Sequence, residues 1–248
     1  MASALVDSAH AVAEIRDRDT LSEVAILWDC ATEDFLSRAV PWRTFRWRAG
    51  QQHYSGTYWA ATNRDHVIYE SRLELARLLL ADYDTAVLQV IAQPFLLRAR
   101  VNRRVRRHIP DFLLFTDGVP IVVDVKPAER LAVEKVRFTL DWTRTLVESL
   151  GWRYEVWSGC SEISLHNVRF LAGFRNPDRF DLKLVKEIHR QSISDRTLGE
   201  VLDRDLGEPR WRVRAAVLHL VWCQALEVDV SVPLSKASPL VKGKCHVR

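Results

Sequence analysis

A chain of 248 residues is long enough for one large domain or two unequal ones, and its 48% hydrophobic and 27% charged residues are those of an ordinary globular protein. The net charge of +4 is too small to mark the whole chain as a nucleic-acid binder. The four cysteines, Cys30, Cys160, Cys223 and Cys245, form no C-x-x-C pair, so neither a zinc site nor a disulfide framework is expected. No basic segment followed by an apolar run opens the chain, and no window reaches the ~18 apolar residues of a membrane span. A cytoplasmic protein without membrane association is therefore expected.

Residues 1–40 alternate short apolar and acidic stretches and read as a loosely attached lead-in. From Trp42 to Trp59 aromatic residues alternate around Gly50-Gln51 and Gly56, which predicts one or two hairpins packed on the core. Residues 1–66 thus form a lead-in and hairpin region. The run YESRLELARLLLAD puts Tyr69, Leu73, Ala76 and Leu80 at helical spacing and predicts a helix from Tyr69 that Asp82-Tyr83-Asp84 ends. Three strand-like runs follow: AVLQVIA, PFLLRARV and HIPDFLLF. From Arg98, inside the second run, to Arg107, just before the third, stand Arg98, Arg100, Arg103, Arg104, Arg106 and Arg107, with no acidic residue among them. Such a run suits either phosphate contact with DNA or a solvated loop.

Asp117-Gly118 marks a turn, and PIVVDV is a fourth strand that Pro127 stops. Residues 128–150 read as one long amphipathic helix ending at Gly151, and WRYEVW as a fifth strand. After Asn176-Pro177 the texture changes to three helical runs and an extended tail, the outline of a winged helix. The expected fold is α/β (α+β): a mixed sheet flanked by helices over 67–177, and a winged-helix-like domain over 178–248. In that last domain Trp211, Trp222 and the tail beyond Val230 are candidates for an apolar partner surface.

The stretch HIPDFLLFTDGVPIVVDVKP carries the chemistry. A two-residue turn at Asp117-Gly118 pairs Asp111 with Asp124 across the hairpin, and Lys126 emerges on the same face two residues on. Both faces of the hairpin are apolar, so it belongs in the middle of a covered sheet. Two unpaired carboxylates facing each other repel. A divalent cation would reverse that sign, and oxygen ligands favour Mg²⁺ or Mn²⁺. A lysine beside such an ion can stabilise charge that builds on a phosphate. Glu74 is a third candidate ligand, although S-R-L-E from Ser71 to Glu74 also fits a capping box. A helix that begins before Ser71 favours the ligand reading. Glu70 is the reserve candidate, and Gln93 reads as a strand-end hydrogen bonder.

Taken together, SRLEL, the QP strand, IPDFLLFTDG and VVDVKP resemble the TnsA-type endonuclease subunit of heteromeric, Tn-seven-like transposases, within the PD-(D/E)XK nuclease superfamily. The resemblance covers about residues 65–160. It implies a restriction-endonuclease-like core over 67–177 with Glu74, Asp111, Asp124 and Lys126 as catalytic residues. The first three would hold Mg²⁺ or Mn²⁺. It further implies cleavage of the 5′ ends of a mobile element during cut-and-paste transposition. The implied partners are double-stranded DNA at the transposon ends, a DDE-type transposase and an ATP-dependent regulator, with nucleoid association when on DNA. The alternatives are a stand-alone restriction or repair nuclease and a non-catalytic DNA-binding adaptor.

Overall fold

The computed structural model describes residues 5–43, 54–191 and 196–243. The chain forms two compact units. The first comprises Met1–Ala81 and Ala86–Gly159, and the second comprises Asp82–Thr85 and Cys160–Arg248. Both helices and sheets are present, so the class is mixed α and β, as expected. Among the described residues no helix is long and apolar enough to cross a membrane.

The first unit opens with β1 (Val6–Asp17), β2 (Glu23–Leu27), the short helix α1 (Glu33–Ser37) and β3 (Ala39–Val40). This corrects the reading of residues 1–40 as a loose lead-in. Ala11, Ala13 and Ile15 are fully buried and alternate with more exposed Val12, Glu14 and Arg16. Alanine is a poor strand former and a weak hydrophobic signal, so the period of two was hard to see. A hairpin of β4 (Gly56–Ala60) and β5 (Asp65–Tyr69) comes next. The Gly50-Gln51 part of the predicted hairpins lies outside the described residues.

Helix α2 (Arg72–Tyr83) starts three residues later than Tyr69, because Tyr69 ends β5. It leads to β6 (Val87–Ala92), β7 (Leu96–Val101) and β8 (Arg104–His108). The run HIPDFLLF is split: Pro110 follows the end of β8, and β9 (Phe112–Thr116) begins after it. Next come β10 (Ile121–Val125), α3 (Glu134–Ser149) and β11 (Arg153–Trp157). The predicted 128–150 helix is two pieces, a 3-10 turn at Ala128–Ala132 and then α3, separated by extended Val133.

Two sheets result. One runs β2-β1-β7-β8, with β3 also beside β1. The other runs β11-β10-β9-β6, antiparallel except for the parallel β10–β11 pair that α3 connects. The main core fills the space between them. Trp28, Phe95, Leu97, Leu113, Trp142 and Leu146 are buried there, and the Trp28 indole donates to the Leu146 carbonyl at 2.7 Å. The opposite face of β9 and β10, with Phe112, Leu114, Val123 and Val125, is buried as well. These strands are thus covered on both sides, as their unbroken apolar runs require.

The second unit contains α4 (Glu162–Leu171), α5 (Leu182–Arg190), β12 (Arg196–Thr197), α6 (Leu198–Leu202), α7 (Arg210–Trp222), β13 (Leu226–Glu227) and β14 (Pro239–Lys242). The three short strands form one sheet in the order β12-β14-β13. The division falls at Gly159, not near Pro177. The reason is α4, which packs against α7. Its buried Asn167 amide also donates to the carbonyls of Val230 and Val232 at 3.0 and 2.7 Å. Trp222 is 4% exposed and belongs to this core, its ring tilted against that of Tyr83, whereas Trp211 is 69% exposed.

Candidate active site

The hairpin register is the one that the turn dictates. Leu114 stands opposite Ile121, Leu113 opposite Val122, and Phe112 opposite Val123. One step further, Asp111 donates its N–H to the Val123 carbonyl at 3.0 Å, and its Oδ2 accepts the Val125 N–H at 2.6 Å. Asp111 therefore lies across from Asp124 at the open end of the hairpin. Lys126 joins them: its ammonium is 2.8 Å from Asp111 Oδ2 and 3.5 Å from Asp124 Oδ1.

The aspartates are not the unpaired couple that the sequence suggested. Asp124 is fully buried, and its carboxylate accepts from His108 Nε2 at 2.8 and 2.9 Å and from the Tyr154 hydroxyl at 2.5 Å. His108 comes from β8 in the other sheet, and Tyr154 from the parallel neighbour β11. Neither was singled out from the sequence. Tyr154 pairs with Val122, so period-two alternation puts it on the face of Asp124. That signal was available once the β10–β11 register was known.

The two aspartates differ electrostatically. Burial works to raise both. The His108 contacts, Lys126 and Tyr154 outweigh it at Asp124 and hold that carboxyl below its ordinary range. At Asp111 burial wins, with the Asp124 charge adding to it against Lys126, and the carboxyl is pushed up. The two carboxylates in turn outweigh burial at Lys126 and raise its ammonium. One carboxylate is thus firmly ionised while its neighbour is held less tightly so.

Glu74 sits at the first turn of α2 and caps it. The Ser71 hydroxyl accepts the Glu74 N–H at 3.0 Å and donates to Glu74 Oε1 at 2.9 Å, while Glu74 Oε2 accepts the Glu70 N–H at 2.7 Å. Because the helix starts at Arg72, the argument that an earlier start would free Glu74 from capping fails. Glu74 is nevertheless close enough to feel Asp111. Burial first and the Asp111 charge second push its carboxyl up to about 7.

Glu70 and Gln93 belong to a neighbouring joint. Gln93 Nε2 donates to Glu70 Oε1 at 2.9 Å, Gln93 Oε1 accepts the Arg43 N–H at 2.9 Å, and the Gln93 N–H donates to the Asp111 carbonyl at 2.9 Å. Gln93 has a left-handed φ of 47° and is 7% exposed, so these bonds hold a tight turn just behind Asp111. From the second turn of α2, Arg77 makes a two-pronged bond to Glu155 of β11 at 2.9 and 2.8 Å.

Among the described residues no group of three or more His, Cys, Asp or Glu side chains is arranged to hold a metal ion. Glu74, the third oxygen donor, is engaged in its cap. The donor chemistry of the aspartate pair fits a hard cation all the same. Mg²⁺ keeps several waters and is bound through one or two carboxylates, and here two carboxylates already hold a cationic group between them.

The arginine run is divided by strand alternation, with Arg98, Arg100 and Arg107 on one face of the β7–β8 hairpin and Arg104 and Arg106 on the other, and Arg103 at its turn. Arg98 is ion-paired with Glu14. Compared with protein-family models and with curated proteins, the chain matches none.

Proposed function

We propose that this protein is a divalent-metal-dependent DNA endonuclease of the PD-(D/E)XK kind, acting as the strand-cutting subunit of a heteromeric transposase at the 5′ ends of a mobile element. The observation that carries the reading is the junction of Asp111 and Asp124 across one hairpin with Lys126 between them. A purely structural hairpin has no need of two carboxylates and a lysine at its open end. The resemblance of SRLEL, IPDFLLFTDG and VVDVKP to the TnsA-type subunit supplies the transposition context. In this reading the first unit is a restriction-endonuclease-like core and the second a winged-helix-like domain.

Asp111 and Asp124 would hold Mg²⁺ or Mn²⁺, with Glu74 as a further ligand once it leaves its cap, and the cation would supply Lewis acidity toward the scissile phosphate. The remaining roles fall to the chain itself. His108 and Tyr154 fix the Asp124 carboxylate in one orientation. Lys126, held beside both aspartates, would face the phosphate and offset the negative charge that builds on it. Glu74 ties the first turn of α2 to the site. The second unit docks the partner proteins, a DDE-type transposase and an ATP-dependent regulator, through exposed apolar groups such as Trp211.

The test is a nicking assay on duplex DNA carrying a transposon end, with and without a DDE-type transposase from the same mobile element, in Mg²⁺ and in EDTA. Metal-dependent cuts at 5′ ends support the reading. No cleavage under any of these conditions, with a folded protein, overturns it.

A further inference from the structure

The six arginines at 98–107 do not act as one patch. In the β7–β8 hairpin Arg98 stands opposite Arg107 and Arg100 opposite Val105, while Ala99 stands opposite Arg106 and Leu97 opposite His108. Residues directly opposite in an antiparallel pair share a face, and successive residues alternate. On the outer face two of the three arginines, Arg98 and Arg100, have counter-charges, while exposed Arg107 has none among the described residues. Glu14 pairs with Arg98, and the Asp7 carboxylate interacts with the charge of Arg100.

The inner face differs. Among the described residues neither Arg104 nor Arg106 has a carboxylate partner. Arg106 Nε is buried without a hydrogen bond, and its terminal nitrogens have no partner and are open to solvent. An unsatisfied charged donor of this kind calls for an explanation.

The surroundings of Arg106 suggest one. Two ring contacts join β8 to α3. The His108 ring meets Trp142 edge-on at 6.2 Å, and the Arg106 guanidinium lies over Phe138 at 5.2 Å. Two residues along a strand advance about 6.6 Å and four along a helix about 6 Å, so the two contacts stay in step. Aromatic support fixes the guanidinium plane and immobilises its stem before any ligand arrives. At one end of this row His108 touches Asp124; at the other, exposed Arg104 reaches the hairpin tip.

We infer that His108, Arg106 and Arg104 mark a track for one DNA strand, in which Arg106 and then Arg104 hold successive backbone phosphates leading away from the bond addressed by Asp111 and Asp124. A guanidinium suits this task because its fork matches a phosphate oxygen pair. The inference rests on the nuclease reading for the bond that the track leads to, but phosphate binding itself needs neither metal nor cleavage.

The experiment therefore measures binding alone. Full-length protein is titrated by fluorescence polarisation against a labelled duplex of mixed sequence, in EDTA, over a series of salt concentrations. Each lost phosphate contact lowers the slope of log affinity against log salt by about 0.9. Arg104→Ala and Arg106→Gln should each lower it by that amount, while Arg98→Ala leaves it unchanged. Arg104 is exposed, so Arg104→Ala decides the matter even if Arg106→Gln unfolds. A wild-type protein that does not bind the duplex overturns the inference. So does an Arg104→Ala slope equal to wild type, or an Arg98→Ala loss equal to that of Arg104→Ala. A parallel Mg²⁺ cleavage assay separates the two ideas: the expected slopes without cutting would leave the track standing and remove the nuclease.

Discussion

Tyr154 gives its hydroxyl to Asp124 at 2.5 Å from the strand running parallel to β10, and this bond makes the buried aspartate a fixed rather than a floating group. Tyr154→Phe keeps the ring and removes only the donor. Stability should fall by about 1.5–3 kcal/mol, the range for a hydrogen bond to a charged group. If orientation of Asp124 is what the tyrosine supplies, the cleavage rate at saturating DNA should fall with little change in apparent DNA affinity. A parallel loss of both would point to a packing defect instead.

Asp124→Ala removes the acceptor of three buried or half-buried donors, His108, Tyr154 and Lys126. The metal-free protein should therefore lose about 3–5 kcal/mol, the usual effect of breaking a buried charged network. The sequence alone suggested the opposite, a gain from removing repulsion, because it did not show the donors. Asp111→Asn and Asp124→Asn, which spare the packing, should both abolish Mg²⁺-dependent cleavage. Wild-type cutting by either would place the site elsewhere.

Lys126 is the cation between the aspartates in the metal-free protein. Its raised pKa keeps it charged throughout the neutral range. Lys126→Ala should destabilise the metal-free protein, and Mg²⁺ should raise its melting temperature more than that of wild type, since the ion takes over the vacated role. Cleavage should drop by orders of magnitude with DNA binding kept. Equal loss of binding and cleavage would make Lys126 a phosphate anchor.

Glu74 yields a prediction with a definite pH sign. Its folded-state pKa is raised from 4.5 to about 7, by burial first and by Asp111 next. The fold therefore favours the protonated carboxyl. The stabilising contribution is full below about pH 4.5 and is lost as pH rises through about 7. Melting curves of metal-free wild type should show this loss between about pH 5 and 8, and Glu74→Gln should flatten it. The same variant separates cap from ligand. It retains one acceptor for the helix start, so near-normal folding with cleavage strongly reduced supports a ligand. Undiminished activity returns Glu74 to the cap and promotes Glu70.

Trp211 is 69% exposed on α7. Trp211→Ala should leave the unfolding free energy within about 0.5 kcal/mol of wild type. If the second unit docks the transposase, co-purification should weaken while duplex binding is unchanged. An unaltered yield of complex would exclude this surface from docking.

The hairpin is legible in the sequence because a two-residue turn fixes register by numbering alone, which brings Asp111, Asp124 and Lys126 to one place. What stayed hidden depended on distant partners. His108 sits in a different sheet and reaches Asp124 only after the chain turns at Ile109-Pro110. Tyr154 depends on the parallel register that α3 sets. Glu74 was visible as a candidate for two roles, and the start of α2 at Arg72 brings out the capping role without removing the other. β1 was missed because its buried face is mostly alanine.

Tyr83 has a consequence for how the protein is made. Its carbonyl accepts the Gln224 side-chain amide at 2.7 Å, 141 residues later, and its ring packs tilted against Trp222. On a ribosome that adds residues in order, every strand from β1 to β11 has emerged by Trp157, yet the end of α2 still waits for a partner almost at the chain's far end. A protein cut at Gly159 would leave the segment Asp82–Thr85 without its companions, and synthesis should pass through an intermediate with the last turn of α2 frayed.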